Sequence, residues 1–442
     1  MSKLSLPAQS KMLDKSFVYG VATASFQIEG GYEQRLPCIW DTFCATEGTI
    51  ADGSNGHVAC DHFNRWQDDI ELIDSLGVDA YRLSISWPRV MNEDGTLNQQ
   101  GVDFYINILD ALKARNIKAF VTLYHWDLPQ YLEDQGGWLN RQTAYAFAEY
   151  VDAITQAFKG KVHSYATLNE PFCSSYLGYE IGIHAPGIVG KEFGRKSAHH
   201  LLLAHGLGMQ VLRKNSPETM NGIVLNFTPC YSETDSDADK YAADYADQYF
   251  NQWYIKPIFD KCYPEIINTL PEAHRPDIHE GDMDIIGESL DFLGINFYTR
   301  AIYRADADNV FEQLDAPAPR TDMGWEIYPS SFTDVLLQLN GLYDLPPVYI
   351  TENGAAMPDK FINGKVDDQD RLEYYQLHLN AVNDAIEQGV DIKGYFAWSL
   401  MDNFEWAEGY LKRFGIVYVD YQTQQRTVKA SGLAYSELIS NR

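Results

Sequence analysis

The sequence predicts an α/β fold: a single (β/α)8 barrel of the TIM type with long βα-loops, one domain over residues 1–442. Three observations predict it. Eight short apolar runs recur along the chain, separated by segments of helical spacing. No Pro/Ser-rich linker and no exact internal repeat divides the chain. Polar clusters gather where the apolar runs end, and in such a barrel the C-terminal strand ends carry the chemistry.

The first strand is expected over 17–23, running into a polar functional loop, Ala24-Ser25-Phe26-Gln27-Ile28-Glu29-Gly30. A long loop follows to about residue 61. Trp66, Ile70, Ile73 and Leu76 recur at helical spacing, and Gly77 stops that helix. The second strand, 78–86, closes on Trp87-Pro88. Val102, Tyr105, Ile106, Leu109 and Leu112 mark a helix ending near Asn116, and the third strand, 117–124, delivers His125-Trp126-Asp127. Phe147, Val151, Ile154 and Phe158 mark the next helix, stopped by Gly160, and the fourth strand, 162–168, delivers Asn169 and Glu170. A helix over 201–212 precedes the fifth strand at 223–227, and a helix-rich insertion spans 241–259. The sixth strand, 292–297, ends in Tyr298. After a helix over 332–339, the seventh, 348–351, carries Glu352 at its tip. The helix at 374–386 stops near Gly389, and the eighth strand, 392–398, leads into Ser399-Leu400-Met401-Asp402-Asn403.

Bulk properties exclude several classes of function. A net charge of −28 repels phosphate backbones and anionic membranes, which argues against nucleic-acid and membrane partners. No stretch approaches the ~18 continuous apolar residues of a membrane helix. The first fifteen residues lack the apolar core and cleavage site of a secretory signal. Cysteines 38, 44, 60, 173, 230 and 262 have neither CxxC nor zinc-ligand spacing, so free thiols and a cytoplasmic location are expected. No cofactor or metal is expected. His199, His200 and His205 lack the paired i, i+4 spacing of a helical metal site. Gly206-Leu207-Gly208 lies in a helical pattern without the third glycine of a dinucleotide fingerprint, and neither a phosphate-cradling loop nor a Gly-x-Ser-x-Gly elbow occurs. Asn226-Phe227-Thr228 matches a glycosylation sequon but lies on a predicted barrel strand.

Two glutamates stand out among 62 acidic residues. Pro171 after Glu170 disfavours the α-region there and is expected to hold the glutamate extended. Glu352 follows an apolar run and precedes the turn signal Asn353-Gly354. Each is open to a second reading as a strand-end salt bridge. Together they suit cleavage of a glycosidic bond, which needs two carboxyl groups in unlike protonation states. Arg82, on the second strand, suits a charge partner for the ionised one, and equally a structural ion pair. Trp126, Tyr298, Trp398, Trp406 and Phe414 fit either core packing or the apolar faces of a sugar. Glu405, between Phe404 and Trp406, needs hydrogen-bond partners, which two adjacent sugar hydroxyls would supply. Gln27, His125 and Asn169 offer complementary polar groups.

The motifs that collect these residues resemble glycoside hydrolase family 1, the β-glucosidase family, from Phe17 to about Ser431. They are Phe26 to Gly30, Tyr81 to Trp87, Tyr124-His125-Trp126-Asp127-Leu128-Pro129, and Thr167 to Pro171, then Asn296-Phe297-Tyr298, Ile350 to Gly354, Trp398 to Trp406, and Arg413 to Asp420. The resemblance implies a retaining mechanism with Glu170 as acid/base and Glu352 as nucleophile, their carboxyl groups roughly 5–5.5 Å apart. It implies that Gln27, His125, Asn169, Glu405 and Trp406 hold the sugar hydroxyls, with Trp398 beneath the ring and Tyr298 on the nucleophile. Arg82 and Asn296 support them. Trp325, Asn226, Phe172 and His184 border the leaving-group side. Thioglucosidases of this kind have glutamine in place of Glu170, and members acting on 6-phospho-sugars have serine in place of Glu405, so unphosphorylated β-glycosides are the expected substrates. A non-catalytic glycan-binding relative and a transglycosylase fit the same residues.

Overall fold

The computed structural model describes residues 3–442; Met1 and Ser2, included in the expected domain, lie outside the described residues. Eight strands form a closed barrel: β1 (Val18–Ala22), β2 (Ala80–Ser84), β3 (Lys118–Tyr124), β4 (Ser164–Asn169), β5 (Met220–Phe227), β6 (Phe292–Phe297), β7 (Val348–Asn353) and β8 (Ile392–Trp398). Neighbours in the ring are neighbours in sequence, and all pair in parallel. Closure comes from β1 against β8, with Val18 opposite Gly394 and Ala22 opposite Trp398.

Long helices stand outside the barrel: α1 (His62–Ser75), α2 (Gln99–Ala114), α3 (Gln142–Ala157), α4 (Lys191–Asn215), α5 (Ser330–Leu342) and α6 (Gln369–Glu387) cover the expected helical segments, and α7 (Ala430–Ser440) is a further helix outside those expected. The expected stops after α1, α2, α3 and α6 all have left-handed backbone, with φ of 69° at Gly77, 58° at Asn116, 73° at Gly160 and 101° at Gly389. A positive φ ends the helical hydrogen-bond ladder, and glycine or asparagine adopts it at least cost.

Four local expectations change. Residues 25–28, read as loop, form a short helix, Ser25–Ile28, because the backbone turns immediately to bury Phe26, Gln27 and Ile28 together. The helix expected from residue 201 starts ten residues earlier, at Lys191. Its first turns bury Arg195, His199 and His200 rather than apolar residues, so no apolar period announces them. Strand β7 runs through Glu352 to Asn353, past the expected end at 351, because Asn353 Nδ2 donates to Phe297 O at 2.8 Å and keeps the backbone in the sheet. Between β5 and β6 the helices Asp237–Asp247 and Trp253–Asp260 occupy the expected insertion. They are joined by a three-stranded sheet of Cys230–Ser232, Ala301–Asp306 and Val310–Gln313, which no apolar pattern foretells.

Behind the end of β8 lies a buried charge network. Asp402 accepts from Arg413 at 2.6 Å and from Lys429 at 2.7 Å. Lys429 also reaches Asp359, and Arg371 bridges Asp359 and Asp368. Three cations thus face three carboxylates, which is what makes their burial tolerable.

Candidate active site

Every candidate named from the sequence converges at the C-terminal mouth of the barrel. A cleft of about 750 Å³ opens there, lined by His125, Trp126, Glu170, Asn296, Tyr298, Trp325, Glu352, Trp398, Glu405, Trp406 and Phe414. Asn226, Phe172 and His184 line it as well. Gln27, Arg82 and Asn169 are buried beneath its wall, in hydrogen-bond contact with lining residues.

One hydrogen-bonded chain joins the two glutamates. Arg82 donates through one guanidinium nitrogen to Glu352 Oε1 at 2.6 Å and through the other to Asn169 Oδ1 at 2.6 Å. Asn296 Nδ2 donates to the same Asn169 oxygen at 3.0 Å and to Glu170 Oε1 at 2.7 Å. Tyr298 donates its phenolic hydrogen to Glu352 Oε2 at 2.7 Å. Both oxygens of Glu352 therefore accept from donors aimed at them, one of them cationic. Arg82 unites the two readings the sequence left open, since it is a buried ion pair and also lies directly against the cleft carboxylate.

Glu170 is in the opposite situation. Burial pushes its carboxyl up to about 8, and the charge of Glu352 adds to the push. Hydrogen bonds from Asn296 and Cys173, and the charge of Arg82, work the other way. Burial, with the charges of Glu352 and Glu170, also lifts Glu405 to about 8. The barrel mouth thus holds three carboxyl groups in unequal environments.

The backbone at Glu170 corrects the sequence reading. The residue is not extended: its φ is 45°, in the left-handed region. Pro171 disfavours the right-handed α-region but leaves this one open. The turn lets the Glu170 amide donate to Val224 O at 2.9 Å while the side chain swings toward Asn296. Trp126 and Trp406 share the trait, with φ of 79° and 47°. Non-glycine residues there cost about 1–3 kcal/mol each and collect where side chains must be aimed.

The polar wall has definite donor and acceptor directions. Because Asn169 Oδ1 receives Arg82 and Asn296, its amide nitrogen is what faces His125 Nε2, at 3.1 Å. That nitrogen must then accept, so the hydrogen of the neutral ring sits on Nδ1, which has no protein partner. Burial and the charge of Arg82 hold His125 well below the usual histidine range, consistent with the neutral ring. Gln27 Nε2 donates to Asn403 Oδ1 at 3.0 Å and Phe404 O at 2.9 Å, and approaches Glu405 Oε2 at 3.4 Å. Its Oε1 is left unpaired among the described residues. Both unpaired atoms belong to residues buried at or beneath the wall of the cleft.

The aromatic residues pack on one another and still face the cleft. Trp126 and Trp406 ring centres lie 4.5 Å apart, and the His125 ring is near-parallel to Trp398 at 5.9 Å. Trp126 Nε1 donates to Asn169 O at 2.9 Å. Sequence reasoning missed Cys173, Tyr176, Ile181, Ile183, Phe250, Arg300 and Tyr303, which also line the cleft. Cys173 and Tyr176 lie in the π-helical turn after β4, Phe250 in a helical turn of the insertion, Tyr303 on a strand of the small sheet, and Ile181, Ile183 and Arg300 in loops. Among the described residues, no group of three or more His, Cys, Asp or Glu side chains is placed to hold a metal ion, and no helix is long and apolar enough to cross a membrane. All six cysteines are free thiols.

Comparison with known proteins gives this geometry its family. Residues 9–442 match the profile of Glycosyl hydrolase family 1. A β-glucosidase of Agrobacterium sp. is 45% identical over 96% of this chain and 94% of its own. An enzyme of Alicyclobacillus herbarius superposes with a TM-score of 0.95 at 44% identity, covering 100% of this chain and 99% of that one. A Thermotoga maritima family 1 glycoside hydrolase, solved with a cyclophellitol analogue as transition-state mimic, gives 0.94 at 43% identity over 97% and 98%. The chain belongs to glycosyl hydrolase family 1.

Proposed function

We propose that this chain is a retaining β-glucosidase that removes terminal, non-reducing β-D-glucosyl residues from cellobiose-like oligosaccharides and from aryl or alkyl β-glucosides. The β-glucosidase named in Agrobacterium supports the substrate class. The observation that carries the assignment of roles is the chain Glu352–Arg82–Asn169–Asn296–Glu170, which sets two carboxyl groups of unlike environment on one cleft. The whole chain acts as one catalytic domain in this reading. Free thiols fit a cytoplasmic enzyme.

In the first step a Glu352 carboxylate oxygen attacks the anomeric carbon while Glu170 gives its proton to the glycosidic oxygen. The bond to the leaving group breaks, the alcohol departs, and an α-glycosyl ester remains on Glu352. Forming the ester consumes the Glu352 charge that helps hold the Glu170 proton, so Glu170 becomes a better base for the second step. There Glu170 takes a proton from water, the water oxygen attacks the anomeric carbon, and Glu352 is released with overall retention. Glu405, Gln27, His125 and Asn169 orient the sugar hydroxyls, with Trp398 beneath the ring and Trp406 at its edge.

Proton NMR of an aryl β-glucoside digest tests the mechanism: β-glucose is expected first, and α-glucose first would overturn it. Glu352→Ala is expected to lose single-turnover chemistry by a factor of at least about 10⁴ while keeping its fold.

A further inference from the structure

Glu170 is held from two sides, and only one partner explains itself. Asn296 fixes Oε1 with an N–H that can only donate. Oε2 faces the thiol of Cys173, whose Sγ lies 3.1 Å away. Cys173 is also tied to the same residue through its backbone, since its N–H donates to Glu170 O at 2.9 Å. It opens the π-helical turn Cys173–Leu177, so main chain and side chain grip Glu170 together. Turns of this type recur at functional sites.

Since Oε1 accepts from Asn296, the proton of the neutral acid belongs on Oε2. That oxygen must alternate between carrying a proton and accepting one. A thiol suits both states: it donates S–H to the carboxylate and accepts O–H from the acid. An amide nitrogen suits only the first. A thiol is also a weak partner, so Oε2 is released readily when it turns to the leaving oxygen. We propose that Cys173 is a positioning residue for the acid/base, holding Glu170 Oε2 in both of its protonation states. This rests on the acid/base role proposed for Glu170. The thiol keeps its own proton throughout; the proton transferred to the leaving group is the one on Oε2.

The other titratable or charged groups facing this pair are Glu352, Glu405, Arg82, Tyr298, Tyr254 and His184. Burial keeps Cys173 well above the usual thiol range, so it remains a donor wherever the enzyme works. Its bond to Oε2 favours the Glu170 carboxylate. Removing it moves the alkaline limb of kcat/KM upward.

The test compares Cys173→Ala and Cys173→Ser with the parent enzyme on an alkyl β-glucoside and on 2,4-dinitrophenyl β-glucoside, whose leaving group needs no proton. Thermal unfolding of each variant checks the fold. For the alanine variant the limb is expected to rise by about half a pH unit. Its kcat/KM should fall roughly three- to tenfold on the alkyl substrate and less than twofold on the dinitrophenyl one. Serine donates and accepts, and more strongly, so its limb should stay at or below the parent's. An unmoved limb in the alanine variant, an equal loss on both leaving groups, or a serine limb that rises with alanine's would each overturn the role of Cys173. Glu170→Ala, measured on the same two substrates, separates the underlying reading. Equal loss on both would overturn the acid/base assignment itself, whatever Cys173 does.

Discussion

The two sides of the cleft are built differently. The side proposed for the sugar is made from strand ends and the segments just after β1 and β8: Gln27 with Glu405, and Asn169 with His125, form two hydrogen-bonded pairs backed by the barrel. The side proposed for the leaving group is made from helical turns and a loop outside the barrel. Phe172, Tyr176 and Phe250 lie in helical turns, Ile181 and Ile183 in the loop after the first of them, and together they present mostly apolar surface, with Ile183 53% exposed. One side can recognise a particular arrangement of hydroxyls; the other offers area without direction. On the proposed function, this contrast assigns selectivity to the glycone and tolerance to whatever is attached to it.

Three measurements would break or sharpen that contrast. The largest effect is expected from Glu405→Ala, which removes the carboxyl poised for two adjacent hydroxyls. Its kcat/KM on 4-nitrophenyl β-glucoside should drop about a hundredfold or more. A loss below threefold would show that the sugar side is not the selective one.

The second concerns pH. Glu170 and Glu405 are both raised from 4.5 to about 8 in the folded protein. Between those values the native state binds more protons than the unfolded chain, so the contribution to stability is full below pH 4.5 and is lost as pH rises through 8. The unfolding temperature should therefore decline across that window. Glu405→Gln, which never ionises, should flatten the decline, and an unchanged slope would count against the strained burial of this wall.

The smallest effect is expected opposite. Ile183→Ser should raise KM for aryl β-glucosides about two- to fivefold and leave the anomeric outcome and the rate of the deglycosylation step alone. A change in preference between glucoside and galactoside would contradict the division of labour.

The same contrast decides what could be read from sequence. The barrel was legible because its strands and helices carry the apolar periods that burial demands, and the candidate cleft residues because most sit at or shortly after the end of such a period. The leaving-group side was not, because Ile181, Ile183 and Phe250 follow no period and lie in connections whose path depends on tertiary contacts. At Glu170 the proline neighbour suggested extended backbone, whereas the residue takes a left-handed turn just after a register shift of β4 against β5, where Asn169 pairs with Val224. Cys173 looked like one more free thiol, since nothing about a cysteine three positions after a glutamate reveals that its sulfur reaches back. The buried start of α4 was hidden because arginine and histidine, not leucine, fill it.

The closure of β1 on β8 makes the cleft depend on segments far apart in the sequence. Gln27 meets Glu405 across nearly the full chain, and Asp402, just before Glu405, has its charge balanced by Arg413 and Lys429. A chain still missing the segment after β8 has Glu170, Glu352 and most of the barrel. It lacks Glu405, the partner of Gln27, and the two cations that balance Asp402 inside the protein. Cutting the chain ahead of Lys429 would therefore leave Glu170 and Glu352 in place while stripping Asp402, three residues before Glu405, of one of its two buried cations.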